Sequence, residues 1–291
     1  MENERKFYHL STDGMSSDIL FKSVAAFIAG MNRIGICAYL LGLPIISFVL
    51  MDNHLHIVLY ATRDECVAFF RKFKQKMGAW LKMHDSEERL FNKLEPDIRL
   101  IETEDYLKNA IVYDIMNPTK AFMPFLPQGY RWSSAILYFS DFSMVMPSFR
   151  RVESMSAREV RRLLETKEQL PQNWLISEDG LIWPGCYTDY KFVEELLKNP
   201  LEIVSKMNEN IEFKINKDMK EGKISMPDME LREICMAISR GLFGTGKIHE
   251  LDMDRRIELA KSLHAQTKAS YKQIAKVVRV NLNDLLAVFK S

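Results

Sequence analysis

Residues 45–60 read IISFVLMDNHLHIVLY. Two apolar runs rich in β-branched residues flank Asp52 and Asn53. Both are turn formers, so the stretch predicts a β-hairpin. The segments around it narrow the choice of fold. Phe7–Thr12 predicts a short strand, with a turn at Asp13-Gly14. Ile19–Leu41 predicts a helix, since its apolar residues recur at spacings of three and four and Gly42 and Pro44 end it. Asp64–His84 predicts a basic amphipathic helix carrying Arg71, Lys72, Lys74, Lys76 and Lys82. Ile98–Ile101 reads as a further strand, and Asp105–Met116 as a helix closed by Asn117-Pro118. Strand, helix, two strands, helix, strand, helix is the order of a ferredoxin-like α+β sandwich, expected over residues 1–140. Residues 141–228 predict a helical connector, broken by the turn-rich SEDGLIWPG, and residues 229–291 an all-helical region.

Composition excludes several classes. At 47% hydrophobic and 27% charged residues, the chain can bury a core and remain soluble. Its net charge of +1 decides nothing about partners. Cys37, Cys66, Cys186 and Cys235 are scattered with no C-x-x-C pair, which argues for a reducing cytosol and against a zinc ribbon or disulfide framework. MENERKFYHL has no apolar core, so no signal peptide is expected. The apolar stretches are interrupted, so no membrane-spanning helix is expected either.

Side chains alternate across a strand, so His54 and His56 share a face. They are either a ligand pair or two partly exposed residues beside a turn. In DYLKNAIVYDIMNP, Leu107, Ile111 and Ile115 fall on one helical face, and Tyr106, Asn109, Tyr113 and Asn117 on the opposite one. Tyr113 and Asn117 are one turn apart and present a phenol and an amide together.

Five stretches resemble one known family: DNHLHIVL, VYDIMNP, FYHLST, YRWSS at 130–134 and EDGLIWPGCYTD at 178–189. Together they are similar to the single-tyrosine HUH transposases, in particular the REP-associated tyrosine transposase branch. The resemblance covers residues 7–139 and continues more loosely beyond. It implies metal-dependent cleavage and rejoining of single-stranded DNA through a 5′-phosphotyrosine. It assigns Tyr113 as nucleophile and His54, His56 and Asn117 as ligands of magnesium or manganese. Two imidazoles and an amide form a nitrogen-rich set that favours manganese. The implied partner is single-stranded or hairpin DNA, with no membrane and no nucleotide cofactor. The implied setting is the nucleoid-associated cytoplasm of a prokaryote, as monomer or homodimer. Two alternatives remain open: a domesticated hairpin-binding protein that mobilises nothing, and a non-catalytic nucleic-acid-binding module. Modules of the second kind carry aromatics on the sheet face. Here that face carries histidines, which favours catalysis.

GLFGTGK at 241–247 has the spacing of a P-loop, but Ile248 stands where Ser or Thr is needed and the preceding REICMAISR reads as helix, not strand. A helix-terminating glycine turn is the expectation. ASYKQIAKVVRVNLNDLLAVF has the layout of a helix-turn-helix, with Ser270 as cap, Ile274, Ala275 and Val278 buried, a turn at Val280–Leu282 and a recognition helix from Asn283 to Phe289. Leu251–Ser291 holds eight basic and four acidic residues, a local +4 that suits contact with a DNA backbone. The expected DNA contacts are Arg71 and Lys74 on the basic helix and Lys272, Lys276, Arg279 and Asn283 here.

Overall fold

The computed structural model describes residues 4–12, 20–84, 94–120, 127–142, 148–207, 228–267, 269 and 271–290. They fall into two compact units, one built on residues 1–117 and 125–206, the other on 118–124 and 207–291. The expected turn at Asp13-Gly14 lies outside the described residues.

The first unit is α+β. Its elements begin β1 (Lys6–Thr12), α1 (Val24–Leu41), β2 (Ile45–Leu50), β3 (Leu55–Ala61), α2 (Arg63–His84), β4 (Pro96–Leu100) and α3 (Glu104–Lys120). The strands form an antiparallel sheet in the order β2-β3-β1-β4. Two split β-α-β crossovers interleave to give that order, as in a ferredoxin-like sandwich. Leu10, Phe48, Leu50, Ile57 and Leu59 point to one face of the sheet and join a core with Phe69, Phe73 and Met77 of α2 and Met31 and Ile34 of α1. The opposite face carries His9 and His56 and is covered by α3, whose Leu107, Ile111 and Ile115 are buried as the periodicity predicts. Helices on both faces explain why β2 and β3 are buried almost throughout.

α1 starts later than expected, at Val24, because Ser23 caps it: its Oγ accepts from the Ala26 N–H at 3.2 Å. Gly42, left-handed at φ +61°, ends it as expected. The absence of a spanning-length apolar helix does not hold for this element. α1 has 18 residues of mean hydropathy 1.6, enough by length and composition to cross a membrane. In this fold it is a core helix, 61% buried. Its Asn32 and Arg33 are satisfied internally, Asn32 by donating to the Gly180 carbonyl at 2.7 Å and accepting from the Ile182 N–H at 2.8 Å. α3 also departs from expectation. It runs through Pro118 to Lys120 instead of closing at Asn117, although proline cannot give its N–H to the carbonyl one turn back.

β2 is an edge strand, and an uncovered edge presents unpaired backbone groups. YRWSS covers it. The Leu50 N–H donates to the Trp132 carbonyl at 2.8 Å, and Tyr130 Oη donates to the Leu50 carbonyl at 2.7 Å. Ser134 Oγ accepts from the Phe48 N–H at 3.0 Å, and Tyr138 Oη donates to the Ile46 carbonyl at 2.9 Å. The EDGLIWPGCYTD stretch follows a small antiparallel pair, β5 (Phe149–Arg151) and β6 (Leu175–Ser177), with α4 (Ala157–Leu164) between them and α5 (Tyr190–Leu197) after. It packs on α1, where a Cβ on Gly35 would come within 2.4 Å of the Tyr187 ring. Residues 148–206 therefore contain strands as well as helices and belong to the first compact unit.

The second unit holds α6 (Asp228–Phe243), α7 (Met253–Gln266), α8 (Tyr271–Val278) and α9 (Leu282–Lys290), around a core of Leu231, Cys235, Leu259, Leu263, Ile274, Val278 and Leu285. GLFGTGK begins in the last turn of α6, not after a strand, and Gly244, at φ +72°, donates to the Arg240 carbonyl at 3.0 Å. That is the expected glycine turn. α8 and α9 are joined by residues 279–281, with Arg279 left-handed at φ +62°. Ile274, Ala275 and Val278 are buried as expected, while Ser270 lies outside the described residues.

Candidate functional site

A β-bulge sets the composition of the histidine face. Ile45 pairs with Leu59 and Ser47 with the adjacent Val58, so Ile46 is an extra residue in β2. Regular alternation from Ile45 would send Ser47 into the core with it. The bulge shifts the phase, so Ile45 stays in the core and Ser47 faces the histidines. β1 aligns on the same face, with Ser11 opposite His56 and His9 opposite Val58.

Asp114 closes the site from above. Its carboxylate, wholly buried, accepts from Ser47 Oγ at 2.7 Å and from His9 Nε2 at 3.0 Å. It thereby pins α3 to β1 and β2 at once. Burial alone would push the His9 imidazolium down, but the charge and hydrogen bond of Asp114 outweigh it and hold His9 above its ordinary 6.5. His9, His56 and Asp114 each offer a ligand atom, and these lie within 4.8 Å of one another. Two imidazoles and a carboxylate suit a divalent cation.

His54 and His56 stand side by side as expected, ring centroids 5.0 Å apart and nearly perpendicular, although His54 lies just before β3 begins. His54 Nδ1 is 2.7 Å from Asn53 Oδ1. The oxygen can only accept, so Nδ1 donates this bond and Nε2 is the nitrogen left for a ligand role. Tyr113 lies edge-on to His56 and His9, its ring 5.4 Å from that of His56 and 6.1 Å from that of His9. It is 41% exposed. Burial of the rest of the ring and the Asp114 charge push the phenol above 10, while Arg99 pulls it down. Asn117 is one turn on but turned inward: it is buried, and its Nδ2 donates to the Tyr113 carbonyl at 2.9 Å, which leaves Oδ1 as the atom it could offer a cation.

Two of the expected DNA contacts lie on the other side of the sheet. Arg71 and Lys74 are on α2, which covers the sheet face opposite the histidines. Arg71 is exposed. Lys74 Nζ donates to the Leu94 carbonyl at 2.6 Å and lies 3.5 Å from Glu95. Lys276 and Arg279 belong to the second unit, while the side chains of Lys272 and Asn283 lie outside the described residues.

Four residues of the site are not singled out by sequence pattern: His9, Ser47, Arg99 and Asp114. His9 is legible in part, since it lies in FYHLST with the parity of an inward strand residue. Arg99 is its cross-strand partner on β4, exposed and paired with Asp97. A further correction concerns aromatics. The histidine face is not free of them: Phe7 and Tyr60 lie on it, opposite each other on β1 and β3, ring centroids 5.0 Å apart.

No family model matches this chain, and no curated protein does. One solved structure is similar, that of the REP-associated tyrosine transposase bound to a REP hairpin, with a TM-score of 0.36 and 12% identity over 46% of this chain and 78% of the other. The likeness is a distant one.

Proposed function

We propose that this protein cleaves and rejoins single-stranded DNA by transesterification at Tyr113. The supporting observation is the Tyr113 ring, on a helix that Asp114 ties to two strands, set edge-on to His56 at 5.4 Å, with the His54 ring 5.0 Å from that of His56. Tyr113 Oη forms a bond to phosphorus, the P–O3′ bond breaks, and the 3′ oxygen leaves as a hydroxyl by taking a proton. The phenolic proton passes to solvent, to which Tyr113 is open. The product is a 5′-phosphotyrosine, and a 3′-hydroxyl attacking it rejoins the strand. His54 and His56 would hold magnesium or manganese, with Asn117 Oδ1 or the Asp114 carboxylate as third donor, and the ion would draw charge from the phosphate. Arg99 stands on the rim as an ion pair with Asp97 and adds little net charge there.

The reading is tested by incubating the protein with hairpin-bearing and unstructured single strands and manganese. The expected product is a protein–DNA adduct that survives denaturant and is lost with chelator. A second reading, binding without catalysis, is favoured by Phe7 and Tyr60 on the sheet face. Tight binding with no adduct on any strand would select it.

We further propose that the second unit binds the DNA backbone through Lys276 and Arg279, together with Lys272 and Asn283, and that Arg71 adds a contact on the first. Arg256 does not contribute, because its guanidinium donates to the carbonyls of Leu251, Arg279 and His249. Deleting residues 229–291 is expected to weaken binding to hairpin DNA. It is also expected to lower the slope of log affinity against log salt by about one for each phosphate the shortened chain leaves unneutralised. An unchanged slope would remove this unit from the interface.

A further inference from the structure

Every residue of β3 is buried except Tyr60, which is 38% exposed. An exposed ring on an otherwise buried strand has to be accounted for. Tyr60 ends a line of aromatics. Phe192 of α5 stacks on Phe7 at 5.4 Å and 21°, and Phe7 leans on Tyr60 at 5.0 Å. The line is rigid from behind and open at Tyr60. Beside it lies a hollow of about 430 Å³ lined by Arg5, Lys6, Phe7, Tyr60, Leu100, Ile101 and the exposed Glu102. Arg5 is committed to Glu65 at 2.6 Å and to the Gly42 carbonyl at 3.0 Å, so it shapes the wall, whereas the exposed Lys6 contributes a cation at the rim.

We propose that Tyr60, backed by Phe7, is a stacking platform for a base of single-stranded DNA bound across the histidine face. The proposal rests on the DNA-processing reading above and adds where the strand lies. Tyr60 shares its face with His56, four residues or about 13 Å along β3, and Phe7 is two residues, about 7 Å, from His9. A strand crossing Tyr113 therefore meets the platform within a few nucleotides. An aromatic face takes any base, because every base has a π-face, so the platform supplies affinity without sequence preference.

The test uses the full chain, chelator to suppress cleavage, and a short mixed-sequence DNA strand carrying 2-aminopurine. Wild type is expected to bind it and quench the probe. Tyr60→Leu, which keeps apolar bulk at a partly exposed position, is expected to weaken binding about tenfold or more and to lose the quench. Tyr60→Trp is expected to keep both. Equal affinity and quench in wild type and Tyr60→Leu would overturn the platform, as would a wild type that binds no single strand. Tighter, Tyr60-dependent binding of an RNA strand of the same sequence would overturn the assignment to DNA. The adduct assay separates the two proposals. No adduct with Tyr60-dependent quenching retires catalysis and keeps the platform, whereas an adduct with Tyr60-independent binding does the reverse.

Discussion

Tyr113→Phe is expected to abolish the covalent protein–DNA adduct, a loss of roughly 10³-fold or more, while DNA binding stays close to wild type. The substitution removes one oxygen from a ring that is already 41% exposed, so packing against His56 at 5.4 Å is preserved and folding is not at issue. Losing the nucleophile of a covalent mechanism removes nearly all of its rate. Tyr106→Phe is the matched control. Tyr106 lies on the same helix two turns earlier, about 10 Å along the axis, and is similarly exposed. It is expected to retain the adduct. Denaturing gel electrophoresis with labelled single strand and manganese decides the matter. An adduct that persists in Tyr113→Phe and disappears in Tyr106→Phe would move the nucleophile.

Asp114→Ala is expected to cost about 3–5 kcal/mol of stability in the first unit, because it breaks a buried charge pair and leaves His9 and Ser47 facing a void. On a unit of this size that lowers the thermal midpoint by on the order of 10 °C. Asp114→Asn keeps the shape and isolates the charge. His9 is held above 6.5 in the folded state by Asp114, so the folded protein binds its proton more tightly than the unfolded chain. The resulting stabilisation is fully present below about pH 6.5 and fades as pH rises through the higher folded value. Urea titrations of the wild type with chelator present are therefore expected to show stability falling as pH rises from about 6.5. Asp114→Asn is expected to lack that fall, since the charge that outweighs burial at His9 is then gone. Parallel pH profiles for the two proteins would show that His9 and Asp114 are not coupled.

Local patterns carried much of this fold. The period-two run around Asp52-Asn53 specified the hairpin, and the spacing of Leu107, Ile111 and Ile115 specified which face of α3 is buried. Those signals are legible because burial of alternate or every third and fourth residue writes itself into neighbouring positions. His54, His56 and Tyr113 were legible for the same reason, being fixed by the parity of one strand and the wheel of one helix. YRWSS was visible as a motif, but its work as a cover for the β2 edge appears only once the strand order is known.

The remainder of the site is non-local. Asp114 sits beside Tyr113 in sequence yet points into the sheet, and nothing in DYLKNAIVYDIMNP announces that two strands supply its donors. His9 is 105 residues from Asp114, and Tyr60 meets Phe7 only through the register of β1 on β3. Ser47 is the clearest case. Its own alternation assigns it to the core, and the single extra residue at Ile46 turns it to the other face. A one-residue shift reverses every side chain beyond it. A bulge is settled by pairing energy along two strands and by the edge cover on β2, not by the residues at the bulge. The sequence alone therefore determined the strands and helices up to α3, to within a few residues at their ends, and the histidine–tyrosine pattern. The tertiary structure decided which charge, hydroxyl and aromatic rings join them, because register and strand order are properties of pairs of segments and are written in neither one.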